Sequence, residues 1–156
     1  MKKKLLLALS ISSLASFNLI AATTANLQLK GNVPSVVSIA VAAETIATSL
    51  PLDVTQNNTR IAKVTEKTNA TNGYMVTVES VNKGKLIRSG GNEQFSYILA
   101  YNGQGLNLAG PSAISYNSSV KGEQLRDVTI SYTGVPSESM VAGDYLDTVT
   151  FSIAAN

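Results

Sequence analysis

Side chains able to carry out chemistry are sparse in this sequence of 156 residues. It contains no histidine and no cysteine, which excludes histidine general bases, thiol nucleophiles and the usual zinc sites. No pair of carboxylates, and no serine or lysine, lies in a recognisable catalytic motif. We therefore expect a protein that is not an enzyme and that uses no cofactor.

The acidic residues near the C-terminus form the first candidate binding cluster. The sequence "GDYLD" brings Asp144 and Asp147 near Glu138, and together they would supply oxygen ligands for a cation. Three acids without further ligand spacing are a weak signal. A turn leading into a strand is the better interpretation, and we expect no metal site.

Two other clusters are equally weak. The glycines of "YNGQGLNLAG" do not fit the phosphate-binding pattern G-x-G-x-x-G, and no helical pattern follows them, which favours a surface loop. Lys83, Lys85 and Arg88 would suit a sulfate, a sugar acid or a lipid headgroup. A solvated loop whose lysines discourage edge pairing is the simpler interpretation.

The tyrosines are the remaining candidates for ligand binding. There are six of them and no tryptophan, and a row of exposed rings would form a platform for a sugar. However, Tyr97, Tyr101, Tyr132 and Tyr145 are in phase with apolar neighbours. We therefore expect most of them in the core or at its rim.

The first 22 residues have the pattern of a secretory signal peptide. Lys2 to Lys4 precede an apolar stretch that is interrupted by serines and closed by small residues. The stretch is too short and too polar for a membrane span. We predict cleavage after Ala22, with Ala21 and Ala25 as alternatives, and hence export to the cell envelope or beyond.

The mature chain has little net charge and reads as one domain. Three of the 12 basic residues leave with the signal peptide, so nine remain against 10 acidic residues, and nothing indicates nucleic-acid binding. No later segment is long and apolar enough to span a membrane. Without cysteine, the domain must be stabilised by core burial or by a partner rather than by disulfides.

Alternation of apolar and polar residues predicts strands along most of the mature chain, and an all-β, immunoglobulin-like β-sandwich. The predicted strands include "SLPLDVT" and "TRIAKVTEKT", the second read as more exposed, and "AVAAETIATS" has room for a single helical turn. The Asn72-Gly73 dipeptide predicts a hairpin turn. Two further strands supply core candidates: Val128, Ile130 and Tyr132 in one, and Val149, Phe151 and Ile153 in the other.

The start of the mature chain, "TTANLQLKGNVPS", is the most informative segment. One face carries Ala25, Leu27, Leu29, Gly31 and Val33, the other face is polar, and Pro34 ends the pattern. This is the alternation of a half-buried strand. Its position at a chain end, where residues are often loose, raises the question of its pairing partner.

The segment resembles the N-terminal extension of chaperone–usher pilus subunits, in which alternating apolar residues include a glycine in phase with them. The C-terminal sequence "AGDYLDTVTFSIAAN" is similar to the last strand of such pilins. The absence of cysteine makes the chain most similar to the cysteine-free, colonisation-factor class. A C-terminal tyrosine pattern that some chaperones recognise is not evident.

The resemblance implies a major pilus subunit with three parts: a signal peptide at 1–22, a donor-strand extension at 23–33 and a pilin domain at 34–156. The domain would be an incomplete sandwich, completed by the extension of a neighbouring subunit. The implied donor residues are Ala25, Leu27, Leu29, Gly31 and Val33. The acceptor-groove candidates are the six core residues from Val128 to Ile153 named above.

The implied partners are identical or related subunits, a periplasmic chaperone and an outer-membrane usher. The implied location is a surface fimbria that supports adhesion or biofilm formation. The alternative is that the first strand pairs within its own domain. The protein would then be a self-complete secreted β-sandwich, either an envelope or coat protein or a carbohydrate-binding protein.

Overall fold

The computed structural model describes residues 24–156, so the predicted signal peptide lies outside the described residues. The chain divides between residues 32 and 33 into two units. In the first unit, residues 24–32 form neither helix nor strand. None of the helices in the described part of the chain is long and apolar enough to cross a membrane.

The second unit is all-β, with eleven strands and two short 3-10 helices at Thr45–Thr48 and Ser137–Ser139. Every strand pairing is antiparallel. The strands are β1 Val37–Ala43, β2 Gln56–Thr68, β3 Tyr74–Ser80, β4 Lys85–Arg88, β5 Gln94–Ser96, β6 Ile98–Tyr101, β7 Gln104–Gly105, β8 Ser112–Tyr116, β9 Gly122–Tyr132, β10 Tyr145–Leu146 and β11 Val149–Ala155.

The strands form three sheets, an arrangement consistent with a β-sandwich. The largest sheet has the order β1-β2-β9-β6-β7, and the two smaller sheets have the orders β11-β3-β8 and β10-β4-β5. Alternation explains the long strands, because every second residue is buried in β3, in β2 from Ala62 to Thr68 and in β9 from Val128 to Tyr132. The core includes Val64, Tyr74, Val76, Val78, Leu99 and Val128, each at most 1% exposed.

The two Asn-Gly dipeptides adopt different roles. Asn102 and Gly103 have φ angles of 49° and 81° and join the paired strands β6 and β7, as a tight hairpin turn requires. The predicted hairpin at Asn72-Gly73 is wrong, because β2 and β3 belong to different sheets. A local turn signal does not determine which sheet the next strand joins.

Gly73 is nevertheless required at this crossover. Its φ of 84° favours glycine, and a Cβ there would lie 1.8 Å from the carbonyl oxygen of Tyr116. The predicted strand "SLPLDVT" is also wrong, since residues 49–55 form no strand. Leu50 and Leu52 still pack against the core, so their alternation reflects burial in an irregular segment.

Candidate functional site

The extension at residues 24–33 is exposed throughout. Leu27, Leu29 and Val33 are 83%, 84% and 82% exposed, although large apolar side chains are normally buried. Among the described residues, no atom lies within 4 Å of the position that a Cβ on Gly31 would occupy. Within the described part of the chain, the apolar face of this segment is therefore exposed.

Strands β1 and β11 have unpaired edges, which we call the seam. Within residues 24–156, β1 pairs only with β2, and β11 pairs only with β3. Cα atoms of β1 and β11 nevertheless approach within 8 Å of each other. Val37 pairs with Thr68 at the end of β2, and Ala155 pairs with Tyr74 at the start of β3. The start of β1 and the end of β11 therefore both lie at the end of the domain where β2 crosses over to β3.

The seam is lined by apolar side chains that the domain covers only in part. Ile39 of β1 and Val149, Phe151 and Ile153 of β11 pack against the core but remain half-buried, and Val41 is 48% exposed. The seam therefore combines free backbone hydrogen-bonding groups with incompletely buried apolar surface. A strand edge with both properties is a template for pairing with another strand.

A cavity of about 540 Å³ lies where β1 ends and β11 is about to begin. It is lined by residues of the segment from Ala47 to Leu52, by Gly143 to Asp147, and by Leu86. Leucine side chains share this lining with polar residues, including Asp144 and Asp147. The cavity extends the seam at this end of the domain.

The six predicted groove residues separate into two groups. Val149, Phe151 and Ile153 lie on β11, at the unpaired edge. Val128, Ile130 and Tyr132 lie on β9, between β2 and β6, and are only 1–6% exposed. The structure brings only the first group to the seam, while the second forms core inside the largest sheet.

A buried carboxylate that sequence reasoning missed ties the sheets together. Glu66 of β2 is fully buried and accepts hydrogen bonds from the hydroxyls of Tyr74 at 2.6 Å and Tyr101, and from Arg126 Nε at 3.1 Å. These partners lie on β3, β6 and β9. The sequence gives one indication of this burial, because Glu66 falls on the same face of the alternating strand as Ala62 and Val64, which face the core.

The cluster around Glu66 also contacts β11 on its core-facing side. The ring of Tyr101 lies 6.0 Å from that of Phe151, and Arg126 lies over the ring of Tyr116 at 4.8 Å. Burial, followed by the hydrogen bond to Glu66, raises the pKa of Tyr74 to about 12. Burial and the Glu66 carboxylate also raise the pKa of Tyr101.

Asp147 fixes the start of β11 through four hydrogen bonds. Its carboxylate accepts hydrogen bonds from Ser80 Oγ at 2.6 Å, from the Tyr97 hydroxyl, and from the N–H groups of Asn82 at 3.0 Å and Thr148 at 2.8 Å. Burial and this contact raise the pKa of Tyr97. Within residues 24–156, no group of three acidic residues could hold a metal ion.

The basic side chains and the tyrosines, which are the other candidates for ligand binding, make contacts within the domain instead. Lys85 of β4 donates to Gln94 of β5 at 2.8 Å, and Arg88 of β4 pairs with Glu93, just before β5, at 2.7 Å. Tyr97, Tyr101 and Tyr132 are at most 7% exposed. Because buried rings offer no open face for sugar stacking, these three tyrosines do not form a platform.

No protein-family model and no curated protein matches this chain. The geometry therefore defines the class directly. The second unit is an all-β domain with several antiparallel sheets, and its distinctive surface feature is the seam.

Proposed function

We propose that this chain is a structural subunit of a surface pilus that polymerises by donor-strand exchange. The domain is then an immunoglobulin-like sandwich that lacks one strand, and the extension of the next subunit fills the seam. The observation that carries the proposal is the coexistence of an uncovered alternating segment with two unpaired apolar strand edges. A self-complete domain would use its first strand internally.

The energy available from the extension is comparable to the stability of a domain. Burying Leu27, Leu29 and Val33 contributes roughly 1.5–3 kcal/mol each, or about 5–9 kcal/mol together. Whole domains are typically stable by only about 5–15 kcal/mol. A donated strand therefore decides whether the subunit is stable, and the head-to-tail contact does not close, so it builds a fibre.

Strand insertion requires the seam to widen. Neighbouring strands lie about 4.7–4.9 Å apart, so a strand between β1 and β11 needs a separation of about 9.5 Å. Cα atoms of the two edges approach within 8 Å. Exchange therefore includes an opening step, in which the half-buried side chains of β11 part from their neighbours and repack against the donor.

The proposed assembly route involves an outside partner before polymerisation. The signal peptide directs export, a periplasmic chaperone covers the seam during transit, and an outer-membrane usher exchanges the chaperone for the next subunit. Covering the seam matters because an open apolar edge promotes aggregation. The assembled fibre then supports adhesion or biofilm formation at the cell surface.

The test is the effect of lysine on each face of the extension. Leu27→Lys and Leu29→Lys in the mature chain should abolish fibres seen by electron microscopy, because each removes a buried anchor and adds a charge. Gln28→Lys is the matched control, since it adds the same charge on the polar face. Normal fibres from both leucine variants would refute the proposal.

A further inference from the structure

The short segment Pro34–Val36, which we call the root, joins the extension to β1 and is held by a single residue, Asn69. The Oδ1 atom of Asn69 accepts from the N–H of Val36 at 2.7 Å. Its Nδ2 atom donates to the carbonyl of Pro34 at 2.8 Å. The backbone N–H of Asn69 also donates to the carbonyl of Val36 at 3.2 Å, so three hydrogen bonds fix three residues.

The position of Asn69 is itself fixed by the largest sheet. It follows Thr68, the last residue of β2, which pairs with Val37 on one side and Gly122 on the other. Thr68 is only 2% exposed, and its Oγ1 accepts from the N–H of Ala70 at 3.0 Å. Because Asn69 directly follows this paired residue, its backbone is held in place, and its hydrogen bonds hold the root against the end of β2.

Proline reduces the remaining freedom at the root. The ring of Pro34 fixes its own φ and disfavours helical conformations at Val33. Because the carbonyl of Pro34 and both backbone polar groups of Val36 are bonded, the chain is free to change direction only before Pro34. Without these bonds, three residues would join the tether and add up to about 10 Å of reach.

We propose that Asn69 is a positioning residue, which sets the direction in which the donor extension leaves its subunit and thereby the angle between successive subunits in the fibre. This inference rests on the proposed donor-strand function. A stiff connection fixes the geometry of linked modules, whereas a loose one allows them to reorient. Asn69 thus contributes to fibre stiffness without contacting the neighbouring subunit.

The experiment compares fibres of the mature chain with those of Asn69→Ala and Asn69→Asp. Alanine removes both side-chain bonds. Aspartate keeps an acceptor for Val36 but places an oxygen against the carbonyl of Pro34, so it provides a second variant if alanine impairs folding. Asn92→Ala is the matched control, because Asn92 is exposed and its side chain makes no hydrogen bond within residues 24–156.

Two measurements distinguish a role of Asn69 in positioning the extension from a role that only stabilises the β2–β3 crossover. Amide exchange at Val36 should accelerate about fivefold in Asn69→Ala, the factor that corresponds to the net contribution of about 1 kcal/mol from one hydrogen bond. Fibre persistence length, measured on electron micrographs, should fall in both Asn69 variants. It should be unchanged in Asn92→Ala.

The outcomes also separate this inference from the proposed function. Wild-type fibres together with Asn69 variants of unchanged persistence length would overturn the positioning role and leave strand exchange intact. Absence of wild-type fibres under conditions that assemble pilins would overturn both, because no donor strand would then need to be aimed. Wild-type fibres with shorter persistence length only in the Asn69 variants would support both.

Discussion

Gly31 provides a sharp test of donor-strand exchange, because nothing within residues 24–156 explains a glycine there. Its φ angle lies outside the left-handed region, and no described atom lies within 4 Å of a Cβ built at this position. In an isolated subunit, Gly31→Val should therefore be tolerated. Any penalty must come from a neighbour that approaches the extension closely.

The sign of the change in stability identifies whether such a neighbour exists. If the extension pairs in an open environment, valine should stabilise the strand by about 0.5–1 kcal/mol, because glycine has the larger conformational entropy. If the acceptor sheet lies close to Gly31, the added side chain should cost about 1–3 kcal/mol through overpacking. The two cases differ in direction as well as in size.

The assay is chemical denaturation of a single-chain version, in which residues 23–33 are appended behind Asn156 through a flexible linker. Gly31→Val in the appended segment should lower the unfolding free energy by about 1–3 kcal/mol. Asn32→Val, on the polar face, is the matched control and should not lower the unfolding free energy, because valine has the higher strand propensity. Stabilisation by Gly31→Val would refute close approach at this position.

Two further predictions concern the core behind the seam. Glu66→Ala leaves Arg126 without its buried partner and should lower the unfolding free energy by about 3–5 kcal/mol in denaturant titrations; a loss below about 1 kcal/mol would show that the network contributes little. The raised tyrosine pKa values predict alkaline destabilisation, because a folded pKa above the unfolded value contributes stability below pH 10 that is lost as pH rises through the folded pKa. For Tyr74 this window runs from about pH 10 to about 12, and ultraviolet titration should show delayed tyrosinate formation in folded relative to denatured protein. The tyrosines with raised pKa values are Tyr74, Tyr97, Tyr101, Tyr116 and Tyr132.

The sequence predicts the all-β class well, because alternation is a direct consequence of strand geometry. It also predicts a single helical turn after β1, which the 3-10 helix at Thr45–Thr48 confirms. It does not predict sheet membership, because the β2–β3 crossover and a true hairpin both use Asn-Gly. The Ig-like topology remains part of the proposal.

The candidate site was only partly predictable for a related reason. The donor residues occupy one contiguous segment, so their pattern is visible in sequence. The seam brings together β1 and β11, which lie at opposite ends of the domain, and its composition depends on which strands remain at sheet edges. Val128 and Ile130 share the alternation of β11, but lie on a strand paired on both sides.

Glu66 and Asn69 show a second limit of sequence reasoning. A charged residue among polar neighbours suggests an exposed strand, and only the presence of Tyr74, Tyr101 and Arg126 around it makes burial favourable. Those partners come from three other strands. Asn69 similarly gains its role from Pro34 and Val36, more than thirty residues earlier in the chain.

The most direct test of donor-strand exchange compares three forms of the mature protein by thermal melting and oligomer size. These are the unmodified chain, a chain lacking residues 23–33, and that deleted chain with residues 23–33 appended behind Asn156. The proposal predicts that the unmodified chain polymerises, the deleted chain is unstable, and the appended chain is a stable monomer. An unmodified chain that is already a stable monomer, and gains nothing from the transfer, would contradict it.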